Sequence, residues 1–350
     1  MYHAHFKGTH RETGFRWGAA LEKNGNFLLR NIPFPITEER RAFAAACRPV
    51  YERYFPQILE EIGGIARGQG CAEAELETVL FSMYALPPVC CCSCFAVANG
   101  GEVLLGRNSD FLPQLEKYNM NVIYRFDGES HDLTGNTTAF VELEDGVNDC
   151  GLAAGLTAVA PKAIQPGLNA GMLVRWLLER CTSVSQALEA LQDLPLASAQ
   201  TITLADRTGD IAVAECCAQG MSILRPSSEQ PFVWAVNRFY APAMAKHNLP
   251  GVDDWQAAGR AETLGKALSE QGRGMDIPAA QGLLSGREGF ICQYDRAAGK
   301  DTVWSVVYDL RRGEIHRCEG NPGRSSFRRD DRFPFSHATT MVPISQEREG

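Results

Sequence analysis

The sequence predicts an α+β fold with sheets layered against helices, and three observations carry that prediction. Residues 37 to 85 are helical in pattern, a two-strand stretch with the strongest turn chemistry of the chain follows at 92 to 106, and from there strands, two helices, strands, a helix and strands succeed one another. At 350 residues and 45% hydrophobic, the chain is long enough to bury one large core or two ordinary ones.

Taken in order, Phe6-Lys7-Gly8-Thr9 passing into Glu12 to Ala20 reads as a strand entering a helix, with Gly14 and Gly18 suited to tight packing. Thr37 followed by Glu38 and Glu39 starts a helix whose apolar residues Tyr51, Tyr54, Phe55, Ile58, Leu59 and Ile62 recur at spacings of three and four. Gly63-Gly64 and Gly68-Gln69-Gly70 are expected to break that run. A further helix spans Glu73 to Tyr84 and ends at Leu86-Pro87-Pro88. Residues 86 to 91 are therefore a natural junction between a helical segment and a strand.

The next stretch is a β-hairpin. Cys92 to Ala98 reads as a buried strand, Asn99-Gly100-Gly101 as the turn and Glu102 to Gly106 as the return. With the turn centred on Asn99-Gly100, Cys92 faces Arg107; centred on Gly100-Gly101, it faces Ser109. Either register brings Cys92 close to Arg107, Asn108 and Asp110. Beyond it, Val122 to Phe126 and Thr138 to Val141 read as strands, and Cys150 to Val159 as a strand of small residues that something approaches closely. Met172 to Cys181 is an amphipathic helix, and Ser183 with Gln186 starts a second by a capping box. Period two returns at Thr201 to Asp206, Ile211 to Glu215 and Phe232 to Val236. A helix near Ala257 to Leu268 precedes the last hairpin, Thr302 to Asp309 with Gly313 to Cys318. Loops 112 to 121 and 160 to 170 are left without an assigned element. Arg324 to Arg332, diluted by Asp330 and Asp331, reads as a solvated tail.

A net charge of −8 argues against a nucleic-acid partner. No apolar run reaches the roughly 18 residues of a membrane span, and the start Met1 to Lys7 lacks the apolar core of a signal segment. The expectation is a cytoplasmic protein. Twelve cysteines, three of them consecutive at Cys90, Cys91 and Cys92, suit neither a disulfide framework nor the spaced pairs of a zinc site, so no metal and no cofactor are expected.

A thiol attacks as its thiolate, which a neighbouring cation favours. Arg107 is the obvious cation beside Cys92, and Asp110 is placed to hold the guanidinium or a nearby amine. The plainer reading is that Cys92 is a small buried hydrophobe. A papain-like site would need a histidine partner, and neither His131 nor His247 stands in a suitable context; G-x-S-x-G, phosphate-loop and dinucleotide patterns are absent. One activation needs no histidine. A chain cut before Cys92 carries an α-amino group, pKa roughly 7.7 to 8, beside its own thiol, where it can serve as base.

Cys92-Ser93-Cys94-Phe95-Ala96-Val97 leading into Leu105-Gly106-Arg107-Asn108-Ser109-Asp110-Phe111, the segment Ala235-Val236-Asn237-Arg238-Phe239, and Val303 to Arg312 resemble the acyl-coenzyme A:6-aminopenicillanate acyltransferase family, N-terminal nucleophile hydrolases related to choloylglycine hydrolases and penicillin V acylases. Gly8-Thr9 with Glu12, Gly14 and Gly18 is similar to the family's N-terminal motif. The resemblance implies a four-layer αββα sandwich. It implies that Cys92 is the nucleophile, freed by self-cleavage of the Cys91–Cys92 bond, so that 1–91 is a mainly helical α chain or propeptide and 92–350 the catalytic β chain of one globular domain. It also implies that Asp110 serves the amino group, that Arg107 matches the arginine of the choloylglycine branch, and that Asn237 donates to the oxyanion. The implied substrate is a small-molecule N-acyl amide, with acyl transfer from a thioester to an amine as the alternative, and no acyl group is assigned. A non-catalytic thiol-rich or metal-binding protein is the reading from another class; a homo-oligomer is left open. Acyltransferase members carry an arginine shortly after an Ile-Cys pair. Here Ile291-Cys292 is followed by Gln293, with Arg296 and Lys300 the nearest cations, so the resemblance implies amide hydrolysis ahead of coenzyme A-dependent transfer.

Overall fold

A computed structural model describes residues 1–86 and 91–335. Strand β1 (Tyr2–Gly8) runs into α1 (His10–Lys23), capped by Thr9 and Glu12 in a reciprocal box. Helices α2 (Glu38–Tyr54), α3 (Pro56–Gln69) and α4 (Glu73–Ser82) follow, and β2 (Cys91–Ala98) with β3 (Val103–Phe111) makes the hairpin. Then come β4 (Met120–Phe126), β5 (Leu133–Thr137), β6 (Asp145–Asn148) and β7 (Leu152–Val159), and helices α5 (Ala170–Arg180) and α6 (Val184–Asp193). Strands β8 (Ala199–Asp206), β9 (Ile211–Cys217), β10 (Gly220–Leu224) and β11 (Phe232–Ala235) lead to α7 (Ala257–Gln271), α8 (Ile277–Leu284), β12 (Asp301–Asp309), β13 (Glu314–Glu319) and β14 (Arg328–Arg329).

Eight strands form one sheet in the order β1-β4-β5-β6-β7-β8-β9-β10, and six form the other in the order β11-β2-β3-β12-β13-β14. The two lie face to face: Cys94, Ala96, Leu105 and Tyr308 of the smaller sheet share one buried cluster with Val147, Ala153 and Val213 of the larger. Helices α2 to α6 cover the outer face of the larger sheet, where Ile58, Leu80, Leu173 and Leu177 meet Val122, Leu133, Leu156 and Ile202. Helices α7 and α8 cover the smaller sheet, with Leu264, Leu268 and Leu283 against Phe95, Leu104 and Val307. The architecture is the αββα sandwich, each sheet lying between a helical layer and the other sheet, with the edge strands β1, β10 and β14 partly exposed.

Several local expectations differ from the structure. The glycines at 63, 64 and 68 do not break α3, which runs on to Gln69; Gly64 and Gly68 are the floor of a helix crossing, while Gly63 faces the Glu73 side chain. A side chain at Gly64 would collide with the Arg11 carbonyl and one at Gly14 with that of Glu61, so only glycine lets α1 and α3 approach this closely. Gly70, at φ 64°, ends the helix instead. The apolar stripe from Tyr51 to Ile62 spans two helices, since α2 stops at Tyr54 and Pro56 opens α3. Thr138 to Val141 is a turn and no strand, while β5, β6, β10 and α8 had no strong periodic signal. Arg324 to Arg332 is largely exposed, as expected, but it is attached and not a loose tail: β14 pairs with β13, and Arg332 donates to Asn121 Oδ1 at 2.9 Å. Pro87 to Cys90, part of the expected junction, lie outside the described residues.

The first 86 residues share the larger sheet's core with the rest of the chain. Beyond that, a buried polar network ties them down: Glu61 Oε2 accepts from Arg175 Nη2 at 2.8 Å and from His10 Nδ1 at 2.9 Å, and Arg175 also holds Glu179 and the Val141 carbonyl.

Candidate active site

The hairpin settles into the register centred on Gly100-Gly101, with Cys92 opposite Ser109, Cys94 opposite Arg107 and Cys91 opposite Asp110. Side chains alternate along each strand. Cys92, Cys94, Arg107 and Ser109 therefore face the space between the sheets, and Cys91, Ser93, Asn108 and Asp110 face the α7–α8 layer.

On the inner face, Arg107 Nη2 donates to Cys92 Sγ at 2.7 Å. Arg107 is wholly buried and held on every side: Nη1 donates to Asp145 Oδ2 at 2.9 Å, Nη2 also to Glu144 Oε2 at 3.0 Å, and Nε to the Leu156 carbonyl at 2.9 Å. Ser109 and Thr138 hold Glu144, while Asn136, Trp304 and Tyr308 hold Asp145. Burial opposes the charge on Arg107, but the Cys92 sulfur, Asp145 and Glu144 carry its pKa well above the ordinary value. Gly155 in β7 makes the room: a Cβ there would lie 2.6 Å from Cys94 Sγ, which is the close approach its strand anticipates. The expectation that Asp110 holds this guanidinium is overturned, because Asp110 points to the opposite face of the sheet and Glu144 and Asp145 fill the role.

Asn237, just past β11, reaches the bond between Cys91 and Cys92. Its Oδ1 accepts from the Cys92 backbone N–H at 2.9 Å and from Arg260 Nη2 at 2.9 Å, while its Nδ2 donates to the Ala158 carbonyl at 2.6 Å. Two donors on one atom and a carbonyl at the other set the amide's orientation. The expected oxyanion donor, Nδ2, is thus engaged with the Ala158 carbonyl. Arg260 Nη1 donates to the Cys92 carbonyl at 2.5 Å and to Ser93 Oγ at 3.0 Å. Asp110 receives Thr302 Oγ1 at 2.6 Å on one oxygen and faces Arg260 Nη1 at 3.8 Å with the other. Burial pushes Asp110 up to about 6 despite Arg260 and Thr302. Burial also pushes the flanking thiols up, Cys91 far above its usual range and Cys94 to about 12.

Arg260, Glu144 and Asp145 escape a reading of the sequence. The two carboxylates sit in Glu142-Leu143-Glu144-Asp145, which looks like a solvated loop. Arg260 carried a usable signal, a charge on the apolar stripe of α7 between Ala257, Ala261 and Leu264. Arg296 and Lys300, the nearest cations after Cys292, are spent at the surface on Glu116 and Asp253. His131 contacts Asp149 and Cys150, and His247 contacts Gln219. His131 Nδ1, an Asp149 oxygen and Cys150 Sγ, which lie within 4.8 Å of one another, are the group able to hold a metal ion among the described residues.

Cys92 is fully buried in the intact chain. On the Asn237 side, a cavity of about 20 Å³ lies between Cys91, Ala158, Asn237 and Asp254 and shares Ala160, Leu249 and Val252 with a wider open cleft.

Residues 97–324 match the family described as acyl-coenzyme A:6-aminopenicillanic acid acyl-transferase, a span that begins within β2 and takes in Arg107, Asp110, Asn237 and Arg260. The chain belongs to that family. As a member of the acyl-transferase family it is an enzyme of acyl transfer or amide hydrolysis. No curated protein matches the sequence. Among solved structures, it is similar to a Caenorhabditis elegans N-acylethanolamine-hydrolyzing acid amidase ortholog, at 18% identity over 63% of this chain and 93% of that one, TM-score 0.45. It is also similar to penicillin V acylase from Agrobacterium tumefaciens, at 15% identity over 65% and 83%, TM-score 0.42. A third is a conjugated bile acid hydrolase mutant from Clostridium perfringens, at 14% over 65% and 89%, TM-score 0.40. Among the described residues, no helix is long and apolar enough to cross a membrane.

Proposed function

We propose that this chain is a self-processing cysteine amidase that cleaves the linear amide of a small N-acyl substrate. The observation that carries the reading is the double hold on Cys92: Arg107 on its sulfur and Asn237 on its backbone N–H. In the precursor the sulfur attacks the Cys91 carbonyl carbon, the C–N bond breaks, and the nitrogen keeps its proton and gains the thiol's to become the α-amine of Cys92. Water then hydrolyses the thioester, leaving a carboxylate on Cys91. Residues 1–91 become the α chain and 92–350 the β chain, held together by the shared core and the Glu61–Arg175 network.

In the mature site the α-amine takes the thiol proton as the sulfur attacks the substrate carbonyl, and returns it to the departing amine. After cleavage Asn237 exchanges its Nδ2 contact with the Ala158 carbonyl for the oxyanion, a contribution of roughly 3 to 4 kcal/mol for one such donor. Arg260 orients Asn237 and the Cys92 carbonyl, and Asp110, titrating near 6, serves as the proton acceptor beside the new amine. Water resolves the acyl-enzyme thioester. The cytoplasmic reading is supported by cysteines that are free among the described residues.

Intact mass of wild type beside Cys92→Ala tests the scheme. Two fragments divided before Cys92, in wild type only, are expected; one full-length chain in both overturns self-processing. The family's description favours a second reading, in which an amine in place of water takes the acyl group. Partition of a labelled acyl-enzyme between water and added amine separates the two.

A further inference from the structure

Away from the candidate active site, three side chains of unlike chemistry converge at one corner of the larger sheet. His131 lies just ahead of β5, and Asp149 and Cys150 stand in the turn from β6 to β7. The β5–β6 ladder, which pairs Leu133 with Asn148, runs on through the Asp149 N–H to the Asp132 carbonyl at 2.8 Å, and so sets His131 opposite Cys150. The backbone there is held on each side. The His131 N–H donates to the Glu179 carbonyl in α5 at 2.9 Å, Asn148 Nδ2 donates to the Leu178 and Cys181 carbonyls, and Gly151 turns the chain at φ 81°.

His131 Nδ1 lies 3.4 Å from Cys150 Sγ and 3.2 Å from Asp149 Oδ1, and the three atoms are all within 4.8 Å of one another. Nδ1 carries one hydrogen at most, so it cannot serve both neighbours. Asp149 Oδ1 is shielded from solvent and has no hydrogen-bond partner among the described residues. A carboxylate oxygen left in that state is costly, and a shared cation removes the cost.

We propose that His131, Asp149 and Cys150 bind one divalent transition-metal ion of the zinc class, with water completing the coordination. Zinc holds nitrogen and oxygen at about 2.0 to 2.2 Å and sulfur at about 2.3 Å, which puts tetrahedral ligand atoms about 3.3 to 3.6 Å apart. The observed 3.2 and 3.4 Å need little movement to meet that geometry. An imidazole and a thiolate select zinc or cobalt over magnesium and calcium, which take oxygen ligands. Cys150 binds as its thiolate and releases its proton to solvent. His131 and Cys150 stand 19 positions apart, unlike the paired cysteines of a zinc motif, and it is the ladder that joins them. The ion braces the corner at one end of β6, whose other end carries Asp145 and its hold on Arg107. Its role is structural and independent of the amidase reading.

Cobalt(II) titration of the metal-stripped, full-length protein tests this, because a cysteine ligand adds a thiolate-to-cobalt charge-transfer band in the near ultraviolet. Wild type is expected to take up a single cobalt per chain with that band. Cys150→Ser should abolish the band. Asp149→Asn and His131→Ala should each weaken binding by about 100-fold, at least what loss of a partner behind a metal ligand costs. Zinc at about 100 times its Kd should raise the melting temperature of wild type by about 3 to 6 °C and leave that of Cys150→Ser unmoved. All three positions are half-buried at the surface, and any one variant that folds gives the readout. Absence of the band in wild type at millimolar cobalt reduces the trio to a hydrogen-bonded cluster, and a band kept in Cys150→Ser places the metal on another thiol. Either result overturns the proposal.

Discussion

Arg107 Nη2 stands 2.7 Å from Cys92 Sγ, reaching diagonally across the β2–β3 ladder from its own partner Cys94, while the rest of its guanidinium is clamped by Glu144, Asp145 and the Leu156 carbonyl. The cation is rigid because its nitrogens are all engaged, and a rigid donor keeps the sulfur at one place relative to the Cys91–Cys92 bond.

Arg107→Ala leaves two buried carboxylates without their cation. Removing one partner of a buried pair costs roughly 3 to 5 kcal/mol, so urea unfolding should show a loss of that order, and intact mass should show no cleavage. Glu144→Gln, which keeps the shape and one acceptor, should lose less stability and slow cleavage. Equal stability of Arg107→Ala and wild type would contradict the clamp.

Asn237→Ala frees the Cys92 amide and takes an acceptor from Arg260. Cleavage, followed by mass against time, should slow about 100- to 1,000-fold, the range for loss of one preorganised hydrogen-bonding group at a reacting carbonyl. Wild-type cleavage in this variant would remove Asn237 from the scheme.

Asp110, raised from 3.8 to about 6 by burial, makes two predictions. Its carboxylate form accumulates as pH rises, so self-cleavage should accelerate through about pH 6 in wild type, and Asp110→Asn should lack that limb. For stability the sign is opposite. The folded state binds more protons than the unfolded state between about pH 4 and 6, so this group's stabilising contribution is complete below about pH 4 and is lost as pH rises through about 6. Relative to wild type, Asp110→Asn should gain stability between about pH 4 and 7, by up to about 3 kcal/mol. Melting curves at both ends of that range measure it.

Gly64→Ala or Gly14→Ala inserts a methyl into the α1–α3 crossing against a carbonyl. A cost of about 1 to 3 kcal/mol is expected from overpacking, against a stabilisation of a few tenths or more for the same change in an open helix. A melting temperature unchanged in both variants would deny the close crossing.

Much of this protein is legible in its sequence because local chemistry determines it. The hairpin from Cys92 to Phe111 follows from apolar strands about Asn99-Gly100-Gly101, and the layered α+β order follows from where period two gives way to period 3.6; the αββα form, and Cys92, Arg107, Asp110 and Asn237 as candidate site residues, came from the family resemblance that motifs in a given order carry. What only the tertiary structure decided is which side chains meet. The turn centre was open in the sequence, with Arg107 or Ser109 as the partner of Cys92, and the ladder chose Ser109. Strand alternation then put Asp110 on the face away from Arg107. The glycines of α3 look like breakers until a second helix lies on them, and Glu144 and Asp145 look solvated until Arg107 arrives from a strand of the other sheet. Arg260, 168 positions from Cys92, comes to its carbonyl only because α7 covers the smaller sheet. A buried charge is tolerated where distant partners converge on it, and that convergence belongs to the packing of layers and to no single stretch of chain.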